Sequence, residues 1–382
     1  MKCIKCDTDN NLKDRQGHSG RCKNCRHPFA FDPKIMSGVD FTDKFFQQTL
    51  SILTVNDSLF FTPRQLSYFF NQRLNARKSD QLKVAGGCAI FVAVALAFFL
   101  FAKGGGLSFG WSMALLLVAA CGLALLASPR LRRRLRGVKP RELNATPEQV
   151  AQWFSHWCKI NGEVVRQLPP PSAKRKSQAL HISPEVRKYS FDRVVVCDRP
   201  EIAQCLIANN FHFEHNCAVL SIDGYPHDIF ETVMEMLRRN PGLSVYALHD
   251  ASKAGVELPQ RLRTDPRWFA GSEARIYDLG LLPRQIFNRP VFVESASDRT
   301  GAAANALPAH VAATLEPEEV RWLEAGNYVA LESFTPQTLM RVVAQGIAKS
   351  RDPQASDALV PVTTGGDGGG GGVLIYTSDS FG

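Results

Sequence analysis

Two uncharged apolar runs place the strongest constraint on how this chain folds. Val84–Ala102 and Trp111–Ser128 contain no charged side chain, and the short glycine-rich segment Lys103–Gly110 joins them. As an α-helix rising about 1.5 Å per residue, each run is long enough to cross about 30 Å of hydrocarbon. A buried hairpin of a soluble protein is the alternative, but core helices are usually shorter and have a polar face. The sequence therefore predicts an α-helical membrane hairpin over 84–128.

Basic residues flank both runs, whereas the segment between the runs has only Lys103. By the positive-inside rule, this distribution predicts a multi-pass protein of the inner (cytoplasmic) membrane with both termini in the cytoplasm. The basic run at the start of the juxtamembrane segment 129–167 is explained better by topology and anionic lipid than by nucleic acid. The flanking residues are Arg73, Arg77, Lys78 and Lys83 before the hairpin, and Arg130, Arg132, Arg133, Arg134, Arg136, Lys139 and Arg141 after it.

The overall charge says little about partners. The 382 residues carry a formal net charge of +9, which falls close to neutral once the juxtamembrane Arg and Lys residues are set aside. That charge is poor evidence for DNA binding. Of the ten cysteines, four cluster near the N-terminus and the others are scattered. This pattern is typical of a reducing compartment and not of a disulfide framework.

The four N-terminal cysteines form two closely spaced pairs. Cys3-x-x-Cys6 and Cys22-x-x-Cys25 are separated by fifteen residues. Each pair directs two sulfur atoms at one ion, which is the ligand set that tetrahedral Zn²⁺ prefers. The spacing predicts a structural zinc ribbon over 1–34, and a closed four-thiolate site has no open position for catalysis. Such a ribbon can bind nucleic acid, bind a protein, or stabilise only its own fold, and the sequence leaves these three alternatives open.

The segment 41–83 is predicted to be helical. Thr62-Pro63-Arg64-Gln65 is a capping box with proline at the first helical position. Arg64 and Tyr68 lie four residues apart, on the polar face opposite the apolar one. A similar start at 146–149 opens a helix within 129–167. The apolar face of the first helix consists of Leu66, Phe69, Phe70 and Leu74.

A proline-rich linker over 168–190 precedes the largest domain, 191–350, in which apolar strands alternate with helices. Continuous apolar strands separated by helices predict a parallel sheet that is covered on both faces, and hence an α/β domain. The tail 351–382 is predicted to be flexible and low in complexity over Gly365–Gly372. Its apolar end, Val373–Tyr376, is either a partner-docking strand or disordered. The predicted strands are Arg193–Cys197, Cys217–Ile222, Leu243–Leu248 and Ala274–Leu279.

Three carboxylates follow the first three strands. Asp198, Asp223 and Asp250 lie at the carboxyl ends, where open α/β sheets bind their ligands. Carboxylate oxygens are the ligands that Mg²⁺ prefers, so the three side chains are candidates for a Mg²⁺ site. The alternative is structural: Asp198 and Asp250 can be helix N-caps, and Asp223-Gly224-Tyr225-Pro226 is typical of a turn.

The segment Arg193–Gly255 resembles a Toprim domain, specifically that of the topoisomerase VI A subunit and its meiotic double-strand-break relatives. The resemblance implies a DNA-linked role and metal-binding acids, of which Asp250 matches. Two acids depart from the family pattern, because Cys197 stands where the family has Glu and Ser252 where it has a second Asp. The similar stretches are Val194-Val195-Val196, Cys205-Leu206-Ile207, Asn209-Asn210-Phe211, Asn216–Leu220, Gly224-Tyr225-Pro226, Leu243–Gly255, Ala274–Pro283 and Leu323–Ile347.

The family also has a winged-helix domain with an Arg-x-x-Tyr-Tyr motif whose final Tyr attacks DNA. The stretch from Arg64 to Tyr68 is similar, so the resemblance implies a winged-helix-like segment over 41–83 and aligns Tyr68 with that nucleophile. A neighbouring cation lowers the cost of forming a phenolate, so Arg64 suits this role. The alternative is an ordinary exposed Tyr on an amphipathic helix.

Together these features predict a multi-domain, membrane-anchored protein with a zinc ribbon and a degenerate Toprim-like domain. Its expected role is non-catalytic: a nucleic-acid-linked or partner-binding component of a DNA-processing or defence assembly, with protein partners bound through the ribbon or the tail. The alternative is a Mg²⁺-dependent DNA-cleaving enzyme that uses Asp250, Asp198 or Asp223, together with Tyr68. A transporter is disfavoured because the apolar runs contain no charge.

Overall fold

The computed structural model describes residues 1–36, 38–77, 140–171, 191–287, 289–295 and 306–350, and the strands Val360–Val362 and Val373–Ile375. The two strands pair with each other in antiparallel orientation. The predicted hairpin over 84–128, most of the linker 168–190, and Gly365–Gly372 lie outside the described residues.

The membrane prediction is contradicted by the helices that the structure describes. In the described ranges, no helix is both long enough and apolar enough to cross a bilayer. The helix Pro147–Asn161 has 15 residues, which is about 22 Å and short of the roughly 30 Å of a hydrocarbon core. It is also amphipathic, with Glu148 in its first turn and Lys159 in its last. The membrane hairpin and the multi-pass inner-membrane location are therefore corrected and are not carried further.

The N-terminal ribbon consists of two tight loops with a short helix, Leu12–Gly17, between them. Isolated bridges close the loops, Lys2 with Asp9 in the first and Arg21 with Pro28 in the second. In both loops the residue after the second cysteine, Asp7 or Arg26, has a positive φ of 53° or 62°. Its N–H then donates to the carbonyl oxygen of the first cysteine, at 2.9 Å and 3.0 Å. The two loops therefore have the same backbone turn.

Three helices follow and share one aromatic core: Asp43–Leu53, 63–77 and Pro147–Asn161. Thr42, Thr62 and Thr146 cap their N-termini with side-chain hydroxyls, which satisfies backbone donors that have no partner within the helix. The core also takes in Phe31, from the end of the ribbon, so the ribbon and the helical unit pack as one body. Its buried members are Phe31, Phe41, Phe46, Leu50, Leu53, Phe61, Leu66, Phe70, Leu74, Ala145, Val150, Phe154 and Trp157.

The predicted parallel sheet is confirmed. Its strands are β1 (Arg193–Cys197), β2 (Ala218–Ser221), β3 (Ser244–Leu248) and β4 (Arg275–Asp278). They run in the order β2-β1-β3-β4, and each neighbouring pair is parallel. All four carboxyl ends therefore lie at one edge of the sheet.

Both faces of the sheet are buried, as expected for continuous apolar strands. Val195 and Cys197 belong to the core on one face, and Val194 and Val196 to the core on the other. A two-stranded ribbon, Glu294–Ser295 with Asn327–Tyr328, and a 3₁₀ turn, Leu331–Ser333, border the carboxyl edge. The helices of this unit are Pro200–Ala208, Phe211–Glu214, Phe230–Arg238, Lys253–Val256, Leu258–Thr264, Pro283–Ile286, Ala309–Ala312, Pro317–Glu324 and Pro336–Lys349.

The helical unit contacts the α/β unit through hydrogen bonds near the start of helix 63–77. The Phe60 N–H donates to Asn209 Oδ1 (2.8 Å), and Asn209 Nδ2 donates back to the Phe60 carbonyl oxygen (2.9 Å). Gln65 Nε2 donates to the Phe334 carbonyl oxygen (3.2 Å). These bonds bring Arg64 and Tyr68 to the carboxyl edge of the sheet.

Candidate functional site

The four cysteines of the ribbon come together as the spacing predicts. Their sulfur atoms all lie within 4.8 Å of one another. Cys3 Sγ lies 3.6 Å from Cys25 Sγ, and Cys6 Sγ lies 3.6 Å from Cys22 Sγ. Tetrahedral Zn²⁺ with Zn–S bonds of about 2.3 Å separates its sulfur ligands by about 3.8 Å, so the group fits this ion. Within the described residues it is the one group of three or more ligating side chains that meets.

Neighbouring polar groups support the cysteines. Asn10 Nδ2 donates to Cys22 Sγ (3.5 Å), while Asn10 Oδ1 accepts the Lys23 N–H (2.9 Å). The Thr8 hydroxyl lies 3.3 Å from Cys6 Sγ and lowers the pKa of Cys6 to about 6. A metal binds the thiolate and not the thiol, so the Asn10 donor and the lowered pKa of Cys6 favour the form that coordinates, whereas burial raises the pKa of Cys3 to about 12.

Two of the three predicted carboxylates meet at the carboxyl edge of the sheet. Asp198 Oδ2 accepts the Asp250 N–H (2.7 Å), and Asp250 Oδ1 accepts the Leu331 N–H (2.6 Å). Asp223 is exposed in the turn after β2. Among the described residues, neither a hydrogen bond nor an ion pair links Asp223 to the other two. The predicted set of three acids is therefore not assembled.

The N-cap interpretation of Asp198 and Asp250 is also wrong. The helix after β1 has Arg199 at its N-cap position and no side-chain cap. The helix after β3 is capped by Ser252, whose hydroxyl accepts the Gly255 N–H (3.0 Å). Ser252 therefore caps a helix at the position where the Toprim family, which this segment resembles, has an acid.

Two arginines balance the charge of the buried acids. Arg199 Nη1 lies 3.6 Å from Asp250 Oδ2 and 3.5 Å from Glu332 Oε2. Arg64 Nη1, from the helical unit, lies 3.4 Å from the same Glu332 oxygen. Glu332 is only 1% exposed, and its Oε1 accepts the Thr62 hydroxyl (3.1 Å). We call Arg64, Asp198, Arg199, Asp250 and Glu332 the carboxylate cluster.

Burial makes the acids of this cluster hard to ionise. Burial, and then the neighbouring Asp250, raise the pKa of Asp198 to about 7. Burial also raises the pKa of Asp250 and of Glu332, although both arginines oppose the rise. Asp198 Oδ1 and Glu332 Oε2 accept no hydrogen bond from any described residue. A carboxylate that is desolvated and incompletely hydrogen-bonded favours its neutral form.

A buried ion pair that sequence reasoning missed lies beneath the cluster. His249 Nε2 donates to Asp278 Oδ1 (3.0 Å), and His249 Nδ1 donates to the Asp250 carbonyl oxygen (2.8 Å). Because both ring nitrogens face an acceptor, the ring is an imidazolium. Burial alone would lower the pKa of His249, but the neighbouring Asp278 raises it to about 9. A Cβ atom at Gly280 would lie 2.0 Å from His249 Nε2. The only signal in the sequence is that His249 directly follows β3 and Asp278 ends β4.

Tyr68 is buried, not exposed as the sequence predicted; it is 4% exposed. Its hydroxyl accepts from Arg64 Nη2 (3.0 Å), which confirms the predicted pairing on one helix face, and it donates to Glu294 Oε1. Tyr328 donates to the other oxygen of Glu294 (2.6 Å). Glu294 and Tyr328 come from the α/β unit, so Tyr68 lies in the contact between the two units.

A scan of the chain against protein-family models and a search among curated proteins found no match. The Toprim resemblance of 193–255 therefore stays a prediction.

Proposed function

We propose that this chain is a non-catalytic nucleic-acid-binding protein that consists of a structural zinc ribbon, a helical unit and a degenerate Toprim-like α/β unit. One observation carries the proposal: Arg64 and Arg199 supply the positive charge that balances the buried carboxylates. In a metal-dependent nuclease, divalent cations supply that charge. Here two arginine side chains of the chain itself face Asp250 and Glu332.

Three of the four carboxylate oxygens of Asp198 and Asp250 already have a partner within the chain. Asp198 Oδ2 accepts the Asp250 N–H, and Asp250 Oδ1 accepts the Leu331 N–H. The remaining Asp250 oxygen faces Arg199 at 3.6 Å, in a side chain that is 6% exposed. A two-metal site needs several carboxylates that face one accessible space. This arrangement supports a structural role for the acids.

Tyr68 fits a structural role better than a nucleophilic one. An attacking phenol must reach a phosphorus atom in line, whereas this hydroxyl is hydrogen-bonded to Arg64 and Glu294. The Tyr68 ring also packs against Phe292, with ring centroids 5.7 Å apart. Its hydrogen bond to Glu294 joins the helical unit to the α/β unit. We assign it to the contact between them.

For the ribbon we propose Zn²⁺ as the resident ion, held by Cys3, Cys6, Cys22 and Cys25. Four thiolates saturate a tetrahedral ion and leave no position for water, so the ion supplies folding free energy and no reaction step. The matching turns of the two loops position all four sulfur atoms.

A second candidate, Mg²⁺-dependent DNA cleavage, has one observation in its favour. Asp198 and Asp250 do meet at the carboxyl ends of adjacent strands, and Arg64 links Tyr68 to the same cluster. For this function the two units would have to separate enough to expose Tyr68 and release the acids from both arginines.

The two candidates are separated by incubating the purified full-length chain with supercoiled plasmid and Mg²⁺. We expect salt-sensitive binding without nicking or relaxation, because phosphate contacts release counterions and the acids stay paired. Plasmid cleavage that Asp250→Ala abolishes would overturn the proposal. The exposed Asp223→Ala variant is the matched control, since it removes a carboxylate at a neighbouring strand end without touching the cluster.

A further inference from the structure

We infer that the exposed part of the ribbon binds the phosphodiester backbone of nucleic acid through Arg21 and Arg26, assisted by Lys5 and Lys13. This inference rests on the proposed nucleic-acid-binding function and names the surface that performs it. We call these four residues the ribbon cations. All four are exposed.

The other side of the ribbon is already occupied by the helical unit. Ile4 and Ala30 pack against the aromatic core, of which Phe31 is a buried member. The Asp43 carboxylate accepts the N–H groups of Ala30 (3.1 Å) and Phe31 (2.8 Å). These contacts fix which residues of the ribbon remain available to a partner.

The ribbon cations have no carboxylate partner in the described part of the chain. Other cations of this region do: Lys2 lies 3.4 Å from Asp7, and Lys23 lies 3.0 Å from Asp14. An unpaired, exposed cation can take a phosphate as its counter-ion without first breaking an ion pair.

Arg26 is held in place without losing its charge. Its Nη1 donates to His18 Nδ1 at 2.8 Å. Its backbone has a φ of 62° and donates to the Cys22 carbonyl oxygen (3.0 Å). Arg21 bridges to Pro28 across the same loop. The loop that the cysteines close therefore fixes the backbone of both arginines, and His18 holds the guanidinium group of Arg26. Guanidinium matches the planar geometry of phosphate contacts.

A phosphate backbone fits this surface better than a protein partner does. Protein interfaces have an apolar centre, with charge concentrated at the rim. Within residues 1–34, Leu12 is the only exposed large apolar side chain, at 39%. The exposed surface of the ribbon therefore has unpaired cations but lacks the apolar centre of a protein interface.

The test measures fluorescence anisotropy of a labelled DNA duplex of random sequence with the full-length chain between about 50 and 200 mM salt. Arg21→Gln/Arg26→Gln should weaken binding at least about tenfold near 0.1 M salt and reduce the slope of log affinity against log salt by about 2. The control, Arg261→Gln/Arg275→Gln, loses the same charge at exposed arginines of the α/β unit and should bind within about twofold of the wild-type chain.

Equal weakening in both double variants, or unchanged binding in the ribbon variant, would overturn the inference and leave the proposed function standing. A wild-type chain that binds no duplex would overturn the function as well.

Metal content and circular dichroism check that the ribbon variant is folded. If it is not, Lys5→Gln/Lys13→Gln, which alters two side chains with no carboxylate partner, must weaken binding in its place. Displacement of the duplex by polyglutamate at equal charge concentration would indicate an acidic protein partner and also contradict the inference.

Discussion

The cysteine group and the carboxylate cluster both gather charged side chains from separate parts of the chain, but they are built differently. The cysteine group draws on two four-residue loops, and each loop positions its own pair of ligands. The carboxylate cluster joins Arg64 to Glu332, which are far apart in the sequence and meet only because two folded units pack together. The first is a site set by local spacing, and the second is a consequence of tertiary structure. We therefore expect the folding of the cysteine group to depend on metal. We expect the carboxylate cluster to be sensitive to mutations at the contact between the helical unit and the α/β unit.

The largest effect is expected in the ribbon. Cys22→Ser should abolish the proposed metal binding and unfold residues 1–34, because the free energy of metal binding is the folding free energy of such a module. Metal analysis and amide hydrogen exchange of the ribbon would measure it. Cys158→Ser is the control, since this half-buried thiol lies outside the group. Full metal content and full protection in Cys22→Ser would show that the ribbon folds without the four-thiolate site.

Next in size is the loss of Glu332. Glu332→Ala should lower the free energy of unfolding by about 3 kcal/mol, because it leaves Arg64 and Arg199 without their shared partner in a buried site. Chemical denaturation of the full-length chain would measure this change. Asp223→Ala removes an exposed carboxylate and should stay within about 0.5 kcal/mol. If the two variants are equally stable, the charge balance that we assign to the carboxylate cluster is not important for stability.

The packing around His249 should have a smaller effect. Gly280→Ala places a methyl group 2.0 Å from His249 Nε2, a ring that two hydrogen bonds hold in place. We expect a loss of about 2 kcal/mol from overpacking. Gly242→Ala is the matched control, because its added Cβ would meet only Asn240 Oδ1 at 3.6 Å. Thermal unfolding of both variants would contradict this account if Gly280→Ala were the more stable of the two.

Stability should also depend on pH through Asp198. The pKa of Asp198 is raised by burial from 3.8 to about 7. A raised pKa in the folded state means that the stabilisation is complete below pH 3.8 and is lost as the pH rises through 7. Asp198→Asn, which keeps an acceptor for the Asp250 N–H, should unfold at higher urea concentration than the wild-type chain at pH 8 and show little difference at pH 4. Asp223→Asn should follow the wild-type curve, and a parallel shift of all three curves would refute the assignment.

The same contrast explains how much the sequence could predict. Apolar strands alternating with helices led to the parallel sheet, and the spacing of Cys3, Cys6, Cys22 and Cys25 led to the ligand group, because both patterns are local. The partners of the acids were not predictable. Arg64 and Glu332 belong to different units, and no pattern around His249 in the sequence indicates its pairing with Asp278. The membrane assignment depended on apolar length alone, and it is corrected on the finding that no helix in the described ranges is long and apolar enough to cross a bilayer.

The central claim is that Arg64 and Arg199 take the place of metal ions at the carboxylate cluster. Titration of the zinc-loaded chain with Mn²⁺, followed by electron paramagnetic resonance of the free ion, tests it most directly. We expect the same weak, unsaturable uptake in the wild-type chain, in Asp250→Asn and in the control Asp223→Asn. A saturable Mn²⁺ site that is present in the wild-type chain and in Asp223→Asn but lost in Asp250→Asn would contradict the claim.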